Sequence, residues 1–315
     1  MNTAENKVDA GVLAAVLTPV DDALAPAVGP WIAHCRRLLD QGCDGLAVLG
    51  TTSEANSFSV PERLALLDAL AEGGIPGGRV IPGTGCCAIP DTVALTRKAL
   101  EIGAAGVLML PPFYYKGVGD DGLFAAYSEV IERVGDAALK IYLYHIPPMS
   151  NVPITYRLIE RLIAAYPGTV VGIKDSGGDF ANMTGMVDAF PGFRVFSGAD
   201  TFLLPLLRAG GAGAITACNN VAAHLSVRIY ADWRGAGADG DQQALDAVRD
   251  IVLKFPLVAA LKEIVANATG DDGWRRQRPP LATLTPEQAA ALKAELAAIG
   301  FTARMAALEY LDDGS

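Results

Sequence analysis

This chain is poor in the residues that hold metals, disulfides or nucleotides. It has only three histidines in 315 residues, His34, His145 and His224, and none stands in H-x-H or H-E-x-x-H spacing. That spacing argues against a zinc hydrolase or a zinc-dependent aldolase. The five cysteines, Cys35, Cys43, Cys86, Cys87 and Cys218, include no C-x-x-C pair. Adjacent Cys86 and Cys87 are poorly placed to bridge one another, and an odd count in a large, core-rich chain fits a reducing cytoplasm. No G-x-G-x-x-G follows the first strand-like run, which leaves a doubly wound dinucleotide-binding sheet without its main support. No run of about 18 apolar residues predicts a membrane span, and the N-terminus lacks the three-part pattern of a secretory leader. Positive charge is scarce as well. Lys and Arg number 25 against 35 Asp and Glu, a net charge of -10, which argues against nucleic acid and anionic membrane surfaces as partners.

What the chain does have is apolar residues, at 51%, arranged in a regular alternation. Eight short runs rich in Val, Ile, Leu and Ala read as strands: 12–18, 45–50, 79–85, 106–110, 140–146, 170–174, 193–198 and 213–218. They are apolar without clean alternation, as strands covered on both faces are. Amphipathic stretches such as 30–41, 61–72, 91–102 and 122–133 lie between them. Helix starts are marked at Ser59-Val60-Pro61-Glu62, Pro90-Asp91 and Thr155, and helix ends at Gly42, Gly73, Gly103 and Gly210. Eight βα units predict a (β/α)8 TIM barrel. Past Asn220 the pattern is helical only, with helices expected over 224–233, 242–266 and 286–298. The expected organisation is one domain. Its barrel core spans 1–220, and the last barrel helix and a C-terminal helical extension span 221–315.

In such a barrel the site lies at the C-terminal ends of the strands. Lys174 ends the sixth strand-like run, and Tyr144 lies near the end of the fifth. A buried amine is costly to keep charged, and an uncharged amine attacks carbonyls. An amine and a phenol at neighbouring strand ends suggest Schiff-base chemistry on a keto acid. Gly50-Thr51-Thr52-Ser53-Glu54 offers hydroxyls and backbone amides at what reads as the start of the next helix, a setting that attracts a carboxylate. Taken alone, Thr51 and Thr52 also fit simple turn caps. His145 should point away from Tyr144, as alternation along a strand requires.

Four motifs, GTTSE at 50–54, PPFYYK at 111–116, LYHIP at 143–147 and GIKDSGGD at 172–179, occur in this order with VLTP at 16–19, GTG at 83–85 and GGAGAIT at 210–216. In this respect the chain resembles the dihydrodipicolinate synthase / N-acetylneuraminate lyase superfamily of pyruvate-type aldolases, over nearly its whole length. The resemblance implies that Lys174 forms the imine with the 2-oxo carbon and that Tyr144 moves protons to and from the intermediates. Thr51 then relays those protons, and Tyr115 completes the relay, in many members from a neighbouring subunit. Thr52 and Gly50 would hold the 2-oxo acid carboxylate, and Ser176, Gly198, Asp200 and Ile215 would line the remaining substrate pocket. The resemblance implies no cofactor beyond the lysine imine, no metal, a small 2-oxo acid as substrate, and a homotetramer built as a dimer of dimers.

Departures from the family pattern bear on substrate. Met149 stands where dihydrodipicolinate synthases carry an arginine, so a bidentate carboxylate grip is missing. Val60, Arg63 and Cys87 stand where the residues that bind feedback lysine are usual. The expected activity is therefore cleavage or formation of a 2-oxo-3-deoxy sugar acid, giving pyruvate and an aldehyde. A 2-oxo-3-deoxy acid dehydratase, an N-acetylneuraminate-type lyase and 4-hydroxy-tetrahydrodipicolinate synthase share the same core. A barrel that only binds a keto acid is the alternative of a different class, against which the proton-relay residues argue.

Overall fold

The computed structural model describes residues 8–303. The outer ends of the two expected units, 1–7 and 304–315, lie outside the described residues. Among the described residues seven strands form one parallel sheet: β1 (Gly11–Ala15), β2 (Gly45–Ala47), β3 (Val107–Met109), β4 (Ile141–His145), β5 (Val170–Asp175), β6 (Arg194–Ser197) and β7 (Gly213–Thr216). Their order is β2-β1-β7-β6-β5-β4-β3.

The gap between β2 and β3 is closed by the third expected strand, 79–85, in a reduced form. It meets its neighbours through isolated bridges, Leu46 with Val80 and Gly83 with Leu108. The Ile81 amide donates to the Leu46 carbonyl (2.9 Å) and the Gly83 amide to that of Val48 (2.8 Å). On the other side the Leu108 amide donates to the Pro82 carbonyl (2.9 Å). Proline has no N–H to give back, so a regular ladder cannot continue through this segment. The hydrogen bonds nonetheless run round the full circle, and the fold is a (β/α)8 barrel.

Helices surround it: α1 (Val28–Asp40), α2 (Val60–Glu72), α3 (Ile89–Glu101), α4 (Asp120–Val134), the one-turn α5 (Pro147–Ser150), α6 (Tyr156–Ala165), α7 (Phe180–Ala189), α8 (Leu203–Arg208) and α9 (Asn219–Ala231). The C-terminal extension adds α10 (Ala238–Val252), α11 (Leu257–Thr269) and α12 (Pro286–Ala298). The start of α2 shows why its boundary is sharp. The Ser59 hydroxyl accepts from the Glu62 amide, the Glu62 carboxylate accepts from the Ser59 amide, and Pro61 sits in the first turn. Removing such a cap costs about 1 kcal/mol. The helix ends at Glu72 with Gly73 as its cap, as expected. Gly73 keeps a right-handed conformation, and the left-handed residue is Gly74 at φ 71°. The single helix expected over 242–266 is two helices, α10 and α11. Pro256 precedes Leu257 and cannot donate to the preceding turn, so the helix must restart there.

Two layers of core follow from the strand alternation. Leu13, Ala47, Ile81, Leu108, Tyr142, Tyr144, Phe196 and Ile215 fill the barrel interior. Leu143, Ile173 and Val195 face outward onto α4, α6 and α7, and a third cluster packs α1, α2 and the extension against β1 and β2. Each such side chain contributes about 1.5–3 kcal/mol by leaving water. No helix of the described residues is long and apolar enough to cross a membrane.

One buried polar group joins β1, α1 and α9. The Asn220 amide group donates to the carbonyls of Ala15 (2.7 Å) and Ala217 (2.8 Å), and its carbonyl oxygen accepts from the Leu17 amide (3.0 Å) and His34 Nε2 (2.8 Å). Arg37 donates to His34 Nδ1, which fixes the neutral tautomer with the proton on Nε2. Burial, with the Arg37 charge beside it, lowers the His34 pKa from 6.5 to about 3. The folded chain thus refuses a proton that the unfolded chain accepts below 6.5, and acid favours unfolding between about 6.5 and 3. Denaturant midpoints measured across that window should fall with pH, and the His34→Gln variant, although less stable at neutral pH, should show a shallower fall. Equal slopes for the two proteins would contradict the assignment.

Candidate active site

β4 and β5 pair in parallel with Tyr144 directly opposite Lys174, and Lys174 is opposite Phe196 on β6. This register sends the amine and the phenol to the same side of the sheet, into the barrel. Both side chains are almost wholly enclosed, with Lys174 5% and Tyr144 3% exposed. The Lys174 amine donates to the Tyr144 hydroxyl at 3.4 Å and lies 4.4 Å from the ring centroid. On the other side of the phenol, the Thr51 hydroxyl lies 3.3 Å from the Tyr144 oxygen. Two polar groups, one from β5 and one from the turn after β2, thus meet at the Tyr144 oxygen.

The electrostatics of that oxygen follow from its neighbours. Burial alone raises the Tyr144 pKa, but the positive charge of Lys174 and hydrogen bonds from Thr51, Lys174 and Ser176 outweigh it, and the net shift is downward. Tyr142, two residues earlier on the same face, shows the opposite. Burial pushes its phenol well up, and the nearby Asp9 carboxylate adds to the rise. The difference is one of charge partners, since both rings sit inside the barrel.

The segment after β2 is wound differently from the helix start expected there. The Glu54 amide donates to the Thr51 carbonyl (3.1 Å) and the Ala55 amide to that of Gly50 (3.2 Å). A single 3-10 turn, Ala55–Ser57, follows, and α2 begins only at Val60, where the Ser59 cap and Pro61 fix it. Among the described residues the Thr51 and Thr52 amides meet no acceptor. Such free amides in a tight turn can receive an anion without a helix behind them. Thr52 is buried, and Gly50 leaves open space where a side chain would stand.

Ser176 and Gly198 are fitted to one another. The Ser176 amide donates to the His145 carbonyl and the Gly198 amide to that of Asp175, both at 2.7 Å. A Cβ on Gly198 would meet the Ser176 Oγ at 1.9 Å and the Asp175 carbonyl at 2.9 Å, so only glycine leaves the serine hydroxyl facing Tyr144. Ile215 is fully buried on β7 within the barrel interior.

Other expected site residues lie elsewhere. Asp200 is enclosed and ion-paired with Arg249 of α10 (2.8 Å), behind the rim. Asp175, next to Lys174, caps its own turn. Its carboxylate accepts from the Gly177 amide and the Asn182 side chain, each at 2.7 Å. His145 points outward, and its Nδ1 accepts from the Ile154 amide at 3.0 Å. Tyr115 is 72% exposed on the loop after β3, edge-on to Tyr114 at 5.3 Å. Within this single chain it does not join the Lys174–Tyr144–Thr51 group. Met149 is 67% exposed on α5 and brings no charge to the mouth.

Sequence reasoning passed over the surroundings of Thr51. The pocket beside Thr51 and Tyr144 is lined by Asn56, Arg63, Gly83, Gly85 and Leu110. Arg63 is buried there and donates to the Gly83 carbonyl (2.8 Å) and the Cys86 sulfur (3.1 Å). No local pattern marks Arg63 as inward-facing, because α2 carries arginine equally well on its solvent side.

A barrel with a lysine–tyrosine–threonine cluster at the C-terminal strand ends belongs to the class of α/β barrel enzymes. Comparison with known proteins narrows the class. Residues 9–299 match the dihydrodipicolinate synthetase family, and the chain belongs to it. A DapA-like lyase of Chloroflexus aurantiacus is 36% identical over 287 residues, 90% of this chain and 95% of that one. A probable 2-dehydro-3-deoxy-D-pentonate aldolase of Escherichia coli is 32% identical over 232 residues, covering 71% and 73% of the two chains. The crystal structure of dihydrodipicolinate synthase from Agrobacterium tumefaciens superposes with a TM-score of 0.86 at 32% identity, covering 92% of this chain and 99% of that one. The chain is thus an enzyme of this family's aldolase/lyase type.

The phenol assignment gives a direct check. An ordinary tyrosine ionises near pH ~10, and Tyr144 should ionise below that value while Tyr142 and Tyr127 ionise above it. An ultraviolet difference titration of the wild type against Tyr144→Phe should show the loss of one early-ionising phenol. Identical curves below the ordinary value would remove the assignment.

Proposed function

We propose that the chain is a class I aldolase that cleaves, or in reverse forms, a 2-oxo-3-deoxy sugar acid through a lysine imine at Lys174. The observation that carries this reading is the direct register of Tyr144 with Lys174, with the amine 3.4 Å and the Thr51 hydroxyl 3.3 Å from the phenol oxygen.

In this reading the neutral Lys174 amine adds to the C2 ketone, and loss of water gives an iminium. Tyr144 gives its proton to the departing hydroxyl, and the positive iminium beside it eases that ionisation. The ionised Tyr144 then takes the proton of the C4 hydroxyl. The C3–C4 bond breaks, its electrons pass to the iminium nitrogen to leave an enamine, and the aldehyde departs. Tyr144, reprotonated, or the Thr51 hydroxyl behind it returns a proton to C3, and water releases pyruvate and the free amine. The carboxylate of the 2-oxo acid rests on the free amides of Thr51 and Thr52, with Gly50 leaving room for it. Ser176, Gly198 and Ile215 border the cleavage end. The iminium serves as the electron sink, and no metal is assigned to it.

The choice of a sugar acid rests on what the mouth offers. Met149 supplies no guanidinium for a second carboxylate, and the E. coli relative is named for a 3-deoxy pentonate. The relay needs one more hydroxyl, and Tyr115 is free to enter a neighbouring copy's site. This supports a dimer as the active unit and a homotetramer of two dimers as the assembly. An exposed Tyr114–Tyr115 pair is the kind of aromatic anchor that such interfaces use.

Borohydride reduction in the presence of pyruvate should add one reduced pyruvate adduct per chain, located by peptide mass at Lys174, and Lys174→Ala should take up none and show no turnover. Substantial turnover by a folded Lys174→Ala protein would exclude the imine mechanism. With a panel of 2-oxo-3-deoxy sugar acids, pyruvate release should exceed condensation of pyruvate with aspartate semialdehyde. Preference for the semialdehyde would instead support the synthase alternative. Tyr115→Phe should lower kcat by about 10²–10⁴-fold, the usual range for a lost acid–base group, with little change in pyruvate binding.

A further inference from the structure

The C-terminal extension touches the turn that carries Thr51 and Thr52. The Lys262 side chain, on α11, is fully enclosed, and its amine forms an ion pair with the equally enclosed carboxylate of Glu54. The same amine donates to the Arg276 carbonyl at 2.9 Å, in the extended segment that follows a 3-10 turn after α11. Glu54 is the residue that closes the Gly50–Glu54 turn. It adopts a left-handed conformation, φ 57° and ψ 30°, which a side chain with a Cβ rarely takes up. Nothing in a turn of this length needs a buried charge, and a carboxylate so enclosed is costly unless a cation meets it.

A second contact from the same segment holds the far end of the same loop. Arg278 donates to the Ser57 carbonyl (2.7 Å) and the Leu24 carbonyl (2.7 Å). It pairs with the Glu62 carboxylate of the α2 cap and lies over the Phe58 ring at 4.3 Å. The pairing holds the Glu62 carboxyl well down, to about 2. Lys262 therefore fixes the loop where it carries Thr51 and Thr52, and Arg278 fixes it where it enters α2.

We infer that Lys262 and Glu54 are positioning residues for substrate carboxylate binding: the buried pair anchors the strained turn so that the Thr51 and Thr52 amides face the mouth. This rests on the reading of those amides given above. The extension is thus part of the site's construction, since without its cation the turn has no reason to hold a left-handed Glu54. Burial pulls the Lys262 pKa down against the opposing pull of Glu54, as expected for an amine kept charged by a single neighbour.

The test is a pair of single variants, Glu54→Gln and Lys262→Met, and the double variant. Each single change strands one partner and should destabilise the protein. The double change removes both charges and should recover most of the melting temperature. If the pair positions the loop, the double variant at near-native melting temperature should still show faster amide hydrogen exchange over residues 51–57 than the rest of the barrel. It should also need ~10-fold or more pyruvate to half-saturate borohydride trapping at Lys174. Wild-type exchange and wild-type half-saturation in the double variant would show that the pair only balances charge, and would overturn the inference. The exchange measurement stands whether or not the wild type traps pyruvate, so failure of the imine reading is told apart from failure of this one. Should the double variant not fold, Glu54→Gln, which keeps the side chain's size and removes its charge, takes its place. Exchange raised over 51–57 beyond the rise in the rest of the barrel supports the inference, and an even rise over the whole barrel contradicts it.

Discussion

The alignment of two parallel strands decides the chemistry of this molecule. Because residue 144 is opposite residue 174 across the β4–β5 ladder, an amine and a phenol must share the barrel interior. Sliding either strand by one residue would turn one of them outward, into the layer where His145 and Ile173 now pack. The two groups also set each other's charge. A phenol in an apolar barrel would resist ionisation, as Tyr142 does, but a cation 3.4 Å away reverses the effect. The reactive pair is therefore a property of the register and burial together, and neither residue would have the same character alone.

Around this pair the fold supplies groups by different means. Thr51 and Thr52 come from a turn rather than a helix end, so their amides are free because the turn is tight and α2 starts late. Gly198 contributes by having no side chain, which leaves space for Ser176. Glu54 and Lys262 lie behind the turn, where a charge pair buried at this depth keeps a strained backbone in place. The barrel acts as the rigid frame, and the C-terminal extension reaches back to it through Lys262, Arg276 and Arg278.

Family membership and local geometry constrain different things. The family bounds the chemistry to aldolase and lyase reactions. The mouth of this barrel narrows the choice through what each residue can offer a substrate tail. Met149 offers no charge, and Asp200 is turned away into an ion pair with Arg249. In the proposed reading, a hydroxylated, uncharged tail fits those surroundings better than one carrying a second carboxylate.

Much of this was legible in the linear chain. The alternation of apolar runs and amphipathic stretches specified a barrel, because strands covered on both faces have no polar side to show. Four short motifs at the rim specified Lys174, Tyr144 and Thr51 as a group, and the Ser59 cap marked where α2 begins. The limits were equally physical. The third strand-like run lost its ladder to Pro82, and Pro256 split one predicted helix into two. Asp200 read as a rim residue until Arg249, 49 positions further on, claimed its carboxylate. Lys262 is separated from Glu54 by some two hundred residues, and no pattern along a helix reveals that a lysine will be buried. The sequence by itself determined which elements form and which reactive side chains end the strands, since those follow from local propensity and periodicity. Only the tertiary structure decided which charges meet, because pairing across the core depends on distances that chain order does not contain.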